Sequence, residues 1–304
     1  MIGNSLSRLL ALGLVLALLL TVGGETAAQD DAGDVIAQAL ALLAEADSYA
    51  YTVTMDTSQQ ITDESGEVFG VRQRYDIAGE ASGADYHDAV TLTVVPLEAE
   101  DDAQTTTLER VRVGETLYVQ LDDLLAEQLG VETGWWALDA LLDTLGDDSV
   151  RRFSAEQLAQ LPTPATLTID ADLIRGVEAL ADDEIEGVPV RVFDVEMKAV
   201  EIALAQQAEA GFGDRLASYL ENAALLLQSE FSLTYRLYVG AEDGRLYRAE
   251  SASRSYIPYL EFGGPNNPDY DIDMSTTLTF DIRAYGEPVQ IEAPANSAGK
   301  PTLR

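Results

Sequence analysis

The chain carries a single histidine, His87, and no cysteine, so the side chains that most often serve as base, nucleophile or soft metal ligand are nearly absent. A Ser–His–carboxylate arrangement would have to use His87, which falls in a stretch of strand character, and no Gly-x-Ser-x-Gly elbow accompanies it. His87 therefore reads as a surface or sheet-edge side chain. Carboxylates are the opposite case. Among 53 Asp and Glu residues, no particular pair is marked out for glycoside hydrolysis. One ordered set stands out: Asp269, Asp271 and Asp273 alternate beside a segment rich in Pro, Asn and Gly. Hard cations such as Ca²⁺ take oxygen ligands from loops of this kind. Here, however, Met274 occupies the position that needs glycine, and the closing glutamate is missing. A solvated turn is the expected reading, with no metal and no cofactor. No glycine loop suited to phosphate occurs either. These residues point to a protein that binds or presents something, and not to an enzyme.

Composition narrows the setting. A formal charge of −35, from 53 acidic against 18 basic residues, repels polyphosphate backbones and argues against nucleic acid as a partner. A hydrophobic content of 47% argues equally against a disordered acidic chain. Residues 1–8 carry one basic side chain, Arg8. The apolar run Leu9 to Leu20 follows, and then small residues through Thr26-Ala27-Ala28, which is the three-part form of a secretory signal. Cleavage is expected after Ala28, with an uncleaved signal anchor as the alternative. The remaining residues 29–304 are expected to form a single domain, extracytoplasmic and either secreted or envelope-associated. Without cysteine there is neither a disulfide framework nor a lipobox attachment point, so stability must come from a core.

Periodicity then gives the elements. Ile36, Leu40 and Leu43 lie at helical spacing within Asp34 to Ala46, opposite Asp34 and Glu45. From Tyr49 the period changes to two: Tyr49, Tyr51, Val53 and Met55 face one way and Thr52, Thr54 and Asp56 the other. Strands are expected over Val68 to Ala78, Tyr86 to Leu97, Thr105 to Val113 and Thr116 to Leu121, with Asp63 to Gly66 as the first turn. Between Asp122 and Leu180 the spacing predicts short helices, one of them capped by Ser154. Strand character returns at Glu184 to Val195, where Pro189 suggests an edge. A long bent helix is predicted over 200–227. Then come Phe231, Leu233, Tyr235, Leu237 and Val239 in strict alternation, a turn at Glu242-Asp243-Gly244, a return over Leu246 to Ile257, a loop at 262–269 and a last strand over Thr276 to Ala284. So many strands in sequence exclude a doubly wound parallel sheet and favour an α+β fold, a curved antiparallel sheet with helices on one face.

Several landmarks occur in a telling order. They are Ser48-Tyr49, then Gly114-Glu115-Thr116-Leu117-Tyr118-Val119, then Gly134-Trp135-Trp136-Ala137-Leu138, then Gly187-Val188-Pro189-Val190-Arg191-Val192-Phe193. Leu237-Tyr238-Val239 to Asp243-Gly244-Arg245-Leu246 follows, and Tyr285-Gly286-Glu287-Pro288-Val289-Gln290-Ile291 with Pro294 ends the series. Together they resemble the LppX/LprG-type lipoproteins of the LolA/LolB-like superfamily. The resemblance implies a half-open barrel, a strongly curved antiparallel sheet whose concave face is covered by helices, with an apolar cavity for lipid between them. It implies that Tyr51, Val53, Phe231, Leu233, Tyr235, Phe280, Leu216 and Leu220 line that space. It also implies a partner that is lipid or another apolar small molecule, with transient membrane contact and a monomeric carrier. The departure is the missing lipobox cysteine, which favours a released protein. A non-catalytic structural or interaction module of the envelope, with a packed core, is the alternative, and a hydrolase ranks last.

Overall fold

The computed structural model describes residues 29–63, 65–99, 102–146, 173–198, 230–261 and 269–295, together with 151, 155, 158, 161–163, 167 and 169. Helix α1 (Gln29–Ala44) leads into the strands β1 (Tyr49–Asp63), β2 (Val68–Ser82), β3 (Asp85–Pro96), β4 (Gln104–Val113) and β5 (Thr116–Leu121). Helix α2 (Asp123–Leu129), strand β6 (Gly134–Ala137) and helix α3 (Leu138–Leu145) come next. The second half holds β7 (Ile174–Ala179), β8 (Asp183–Ile185), β9 (Val188–Met197), β10 (Glu230–Gly240), β11 (Leu246–Glu261) and β12 (Asp269–Arg283).

The twelve strands among the described residues belong to one antiparallel sheet, in the order β6-β5-β4-β3-β2-β1-β12-β11-β10-β9-β7, with β8 paired to β9. Two meanders thus meet along the β1–β12 ladder, which runs from Ala50 opposite Arg283 to Asp63 opposite Tyr270. The strands at the seam are long, 15 residues in β1, β2 and β12 and 16 in β11. The edges are short: β6 has 4 residues and β7 has 6. Long central strands with ordinary twist make a curved sheet, and short edges limit the unpaired backbone offered to other chains. Among the described residues the sheet does not close, since β6 and β7 are not neighbours. This is the α+β class expected from the alternation.

The period-two pattern decides the two faces. On the inner face, Ala32, Ile36, Ala39 and Leu43 of α1 pack with Tyr51, Val53, Ile77, Val90, Leu108, Phe193, Leu237 and Phe280 in one cluster. The spacing of the four helical residues is the apolar stripe of a helix lying on a core. The outer face carries arginine–carboxylate pairs between neighbouring strands, Arg236 with Asp194 at 2.6 Å, Arg248 with Asp281 at 2.6 Å and Arg254 with Asp273 at 2.7 Å, and two small apolar clusters, around Val111, Tyr118 and Ala137 and around Val190, Val192 and Tyr238. Toward the β5–β6 edge, α2 and α3 close a smaller cluster around Val119, Leu121, Ala126 and Leu141. Asp122 caps α2 by accepting from the Leu125 N–H at 2.8 Å.

Several expectations shift. Trp135 and Trp136 lie in β6 and not in a helix, and β7 falls within the region expected to be helical. Strand β9 is interior, between β10 and β7, so Pro189 does not mark an edge. It is the second residue of β9, where a missing N–H costs little because the ladder is only starting, and its carbonyl accepts from the Ala241 N–H at 2.9 Å. Strand β12 begins at Asp269, not Thr276, so Asp269, Asp271 and Asp273 stand on a strand and not in a turn. The predicted signal segment, the Ser154 cap, the helix over 200–227 and the loop residues 262–268 lie outside the described residues. Among the described residues no helix is long and apolar enough to cross a membrane.

Candidate functional site

Register builds the inner face row by row. One row crosses the sheet as Phe193, Leu237, Ala249, Phe280, Val53, Ile77, Val90 and Leu108. The next, toward one end of the strands, is Val195, Tyr235, Ser251, Leu278, Met55, Tyr75 and Leu92. Beyond it the chemistry changes: Leu233, Ser253, Thr276, Thr57 and Gln73 form a largely polar row, in which the hydroxyls of Thr57 and Thr276 are 3.3 Å apart. Phe231, Ser255, Met274, Gln59 and Val71 follow, and then Ile257, Ile272, Ile61 and Phe69. Gln59 and Ser255 are 5% and 8% exposed, and among the described residues neither the Gln59 amide nitrogen nor the Ser255 hydroxyl finds a hydrogen-bond partner.

A second polar feature sits at the other end of this face. Arg110 and Asp88, both fully buried, form a two-pronged pair with Nε to Oδ1 at 2.9 Å and Nη2 to Oδ2 at 2.6 Å. The Tyr51 hydroxyl donates to Asp88 Oδ2 at 2.8 Å, reaching across β2 where Gly79 offers no side chain. A Cβ on Gly79 would lie 2.6 Å from that of Asp88, so the close approach requires glycine. Arg110 also donates through Nη1 to the carbonyls of Leu158 and Leu161, at 3.2 and 3.1 Å, and so ties that segment to β4. Burial, then the charge and hydrogen bond of Asp88, push the Tyr51 pKa far up. Burial also works against the guanidinium charge of Arg110, but the Asp88 carboxylate outweighs it, and the Arg110 pKa is raised. Every polar atom this network presents is turned inward to a partner, which is a structural arrangement and not a reactive one.

Near the start of β1 the chain termini of the sheet are strapped together. Gly286 N–H donates to the Ser48 carbonyl at 2.9 Å, Ser48 Oγ to the Glu287 carbonyl at 2.6 Å, and the Tyr285 hydroxyl to the Leu246 carbonyl at 2.5 Å. The first and last of the sequence landmarks therefore meet in space. Tyr49 lies between Tyr51 and Tyr285 with its ring tilted to both, centroids 6.1 Å apart in each case, and burial pushes its pKa up to about 12.

Comparison with known proteins returns distant solved structures. Among solved structures, the chain is similar to the Mycobacterium tuberculosis lipoprotein LppX at 12% identity, over 85% of this chain and 97% of that one, with a TM-score of 0.38. It is similar to LprF from Mycobacterium bovis at 12% identity, over 88% and 98%, with a TM-score of 0.36. A LolA superfamily protein from Nitrosomonas europaea aligns at 13% identity over 84% and 94%, with a TM-score of 0.22. No protein-family model matches the chain, and no curated protein matches it.

The residues singled out from sequence are placed as follows. Tyr51, Val53, Leu233, Tyr235 and Phe280 are buried in the main cluster, and Phe231 packs against it half-buried, so all six share the inner face. Leu216 and Leu220 lie outside the described residues. An open depression of about 700 Å³ lies over β7, β9, β10, β11 and β12, and Tyr235, Leu278 and Val177 border it together with Asp194 and Arg236. His87 is exposed, on the outer face, with its Nε2 3.3 Å from Glu109. Asp271 accepts from the Tyr256 hydroxyl at 3.0 Å and Asp273 pairs with Arg254. Among the described residues no three His, Asp or Glu side chains are grouped as metal ligands would be. The sequence reading missed the Tyr51–Asp88–Arg110 network and the unpartnered pair Gln59 and Ser255. The available signal was parity: Asp88 and Arg110 occupy the same alternate positions as Val90 and Leu108, and Gln59 the same as Val53 and Met55.

Proposed function

We propose that this chain is an extracytoplasmic binding protein, a carrier that holds an apolar ligand of the lipid class between the inner face of its sheet and the helices over it. In this reading residues 1–28 are removed as a signal peptide and 29–304 act as one domain. The protein works as a monomer, meets membranes only transiently, and needs no catalytic group or cofactor.

The supporting observation is the width of the apolar face. It runs without a break from Phe193 on β9 to Leu108 on β4, eight strands in the sheet order, or roughly 34 Å at ordinary strand spacing. Helix α1 lies over β7, β10 and β11, and the row is buried along its whole width, from Phe193 at 1% exposed to Leu108 at 5%, so a ligand would replace contacts that now cover it. An acyl chain laid along such a face gains about 0.8 kcal/mol for each methylene it buries, which is sufficient for tight binding without any directional contact. Tyr51, Val53, Phe231, Leu233, Tyr235 and Phe280 are the side chains proposed to meet it, with Leu216 and Leu220 opposite.

Titration of the purified domain with an acyl chain carrying an environment-sensitive fluorophore tests this. Saturable enhancement at one site per chain is expected. No uptake at micromolar protein would count against a carrier and favour the packed interaction module.

A further inference from the structure

The inner face is not uniformly apolar along its length: besides the fully paired Tyr51–Asp88–Arg110 network at one end, it carries a polar stretch of a form that a filled core does not favour. Rows headed by Val53 and Met55 are apolar, the Thr57 row is polar, the Gln59 row carries two unpartnered polar groups, and the Ile61 row is apolar again. Gln59 and Ser255 flank Met274 on adjacent strands, so their Cα atoms are roughly 10 Å apart on one face. Leaving a buried donor unmade is costly, and side chains as buried as these two are nearly always paired. Two such groups in one row, with hydroxyls of Thr57, Thr276 and Ser253 in the row beside them, make a polar band between two apolar zones.

We infer that this band is the recognition site for an oxygen function carried within the hydrocarbon of the ligand. The class of ligand is a lipid with a hydroxyl or ester group flanked by alkyl chain on both sides. The Gln59 amide nitrogen donates to the oxygen, the Ser255 hydroxyl donates or accepts, and the two alkyl arms lie against Val53 and Phe280 on one side and Ile61, Ile257 and Ile272 on the other. The inference rests on the carrier reading and adds specificity to it: apolar rows alone would take any acyl chain, whereas a site built to bond an oxygen rejects the chain that lacks one.

Competition of methyl 12-hydroxystearate and of methyl stearate against the same fluorescent acyl probe decides the matter, using the native domain, Gln59→Leu and Ser255→Ala. The native protein is expected to prefer the hydroxylated ester by about tenfold, the equivalent of one good hydrogen bond. Each variant is expected to lose most of that preference while binding methyl stearate at least as well as the native protein does. Equal affinity of the native protein for the two esters, or a preference that survives both substitutions, overturns the polar subsite and leaves the carrier reading standing. A probe that binds but that neither ester displaces overturns the polar subsite alone, and failure of the probe to bind overturns the two together.

Discussion

Replacing Arg110 by methionine puts the heaviest load on the internal logic of this fold. The substitution keeps most of the side-chain volume but removes both hydrogen bonds to Asp88 and the two to the carbonyls of Leu158 and Leu161. Asp88 would keep only the Tyr51 hydroxyl, in a site with no exposure to water. Breaking one side of a buried pair typically costs about 3–5 kcal/mol, a large part of the roughly 5–15 kcal/mol that stabilises a domain. Asp88→Leu alone should cost a similar amount, since it strands the guanidinium. The double variant Arg110→Met with Asp88→Leu should cost far less than the sum, because neither charge is left behind. What remains is the orphaned Tyr51 hydroxyl, worth about 1–3 kcal/mol, and the Leu158 and Leu161 carbonyls that have lost their donor; adding Tyr51→Phe should recover the first of these. Urea unfolding followed by fluorescence of Trp135 and Trp136 reads all four proteins. A cost under about 1 kcal/mol for Arg110→Met, or strict additivity in the double variant, would show that the pair is not a coupled buried unit.

Gly79→Ala should destabilise by about 1–3 kcal/mol in the same assay, because its Cβ would meet the Asp88 Cβ and the His87 carbonyl oxygen, each at 2.6 Å. An unchanged urea midpoint would mean that β2 and β3 are not so close. Tyr49 and Tyr75 both have pKa values pushed up by burial to about 12, against about 10 when unfolded. Their contribution is whole below pH 10 and is lost as the pH rises toward 12, at roughly 3 kcal/mol for each two-unit shift, so thermal stability should fall steeply over that window. Ultraviolet difference titration should show these rings ionising with unfolding; full ionisation at pH 10 in the folded protein would contradict it. On the outer face, Arg254→Ala and Arg236→Ala should each leave the urea midpoint nearly unchanged, since both pairs are solvent-exposed.

Much of the fold was legible because most strands announce themselves by period. From Tyr49 to Leu121 the alternation sets both the strands and the face each residue takes, and Thr116–Leu121 is found with the bounds read from sequence. Strands β6 and β7 were hidden for local reasons. Gly134-Trp135-Trp136-Ala137 is too short to show a period and is flanked by leucine-rich helices. In β7 the register shifts between Ile174 and Gly176, which breaks the alternation. The apolar side chains of the candidate site were legible from parity, whereas its polar members were not. Charged and amide side chains in a strand are ordinarily assigned to solvent, and only pairing shows Asp88 beside Arg110, or Gln59 one strand from Ser255's neighbour Met274.

Native mass spectrometry of the protein purified from its own host, followed by solvent extraction and lipid analysis of whatever travels with it, tests the central claim most directly. A carrier should arrive with one lipid per chain, of a single class and oxygenated within its hydrocarbon. A clean ligand-free mass, in a protein that also takes up no acyl probe, would contradict the account.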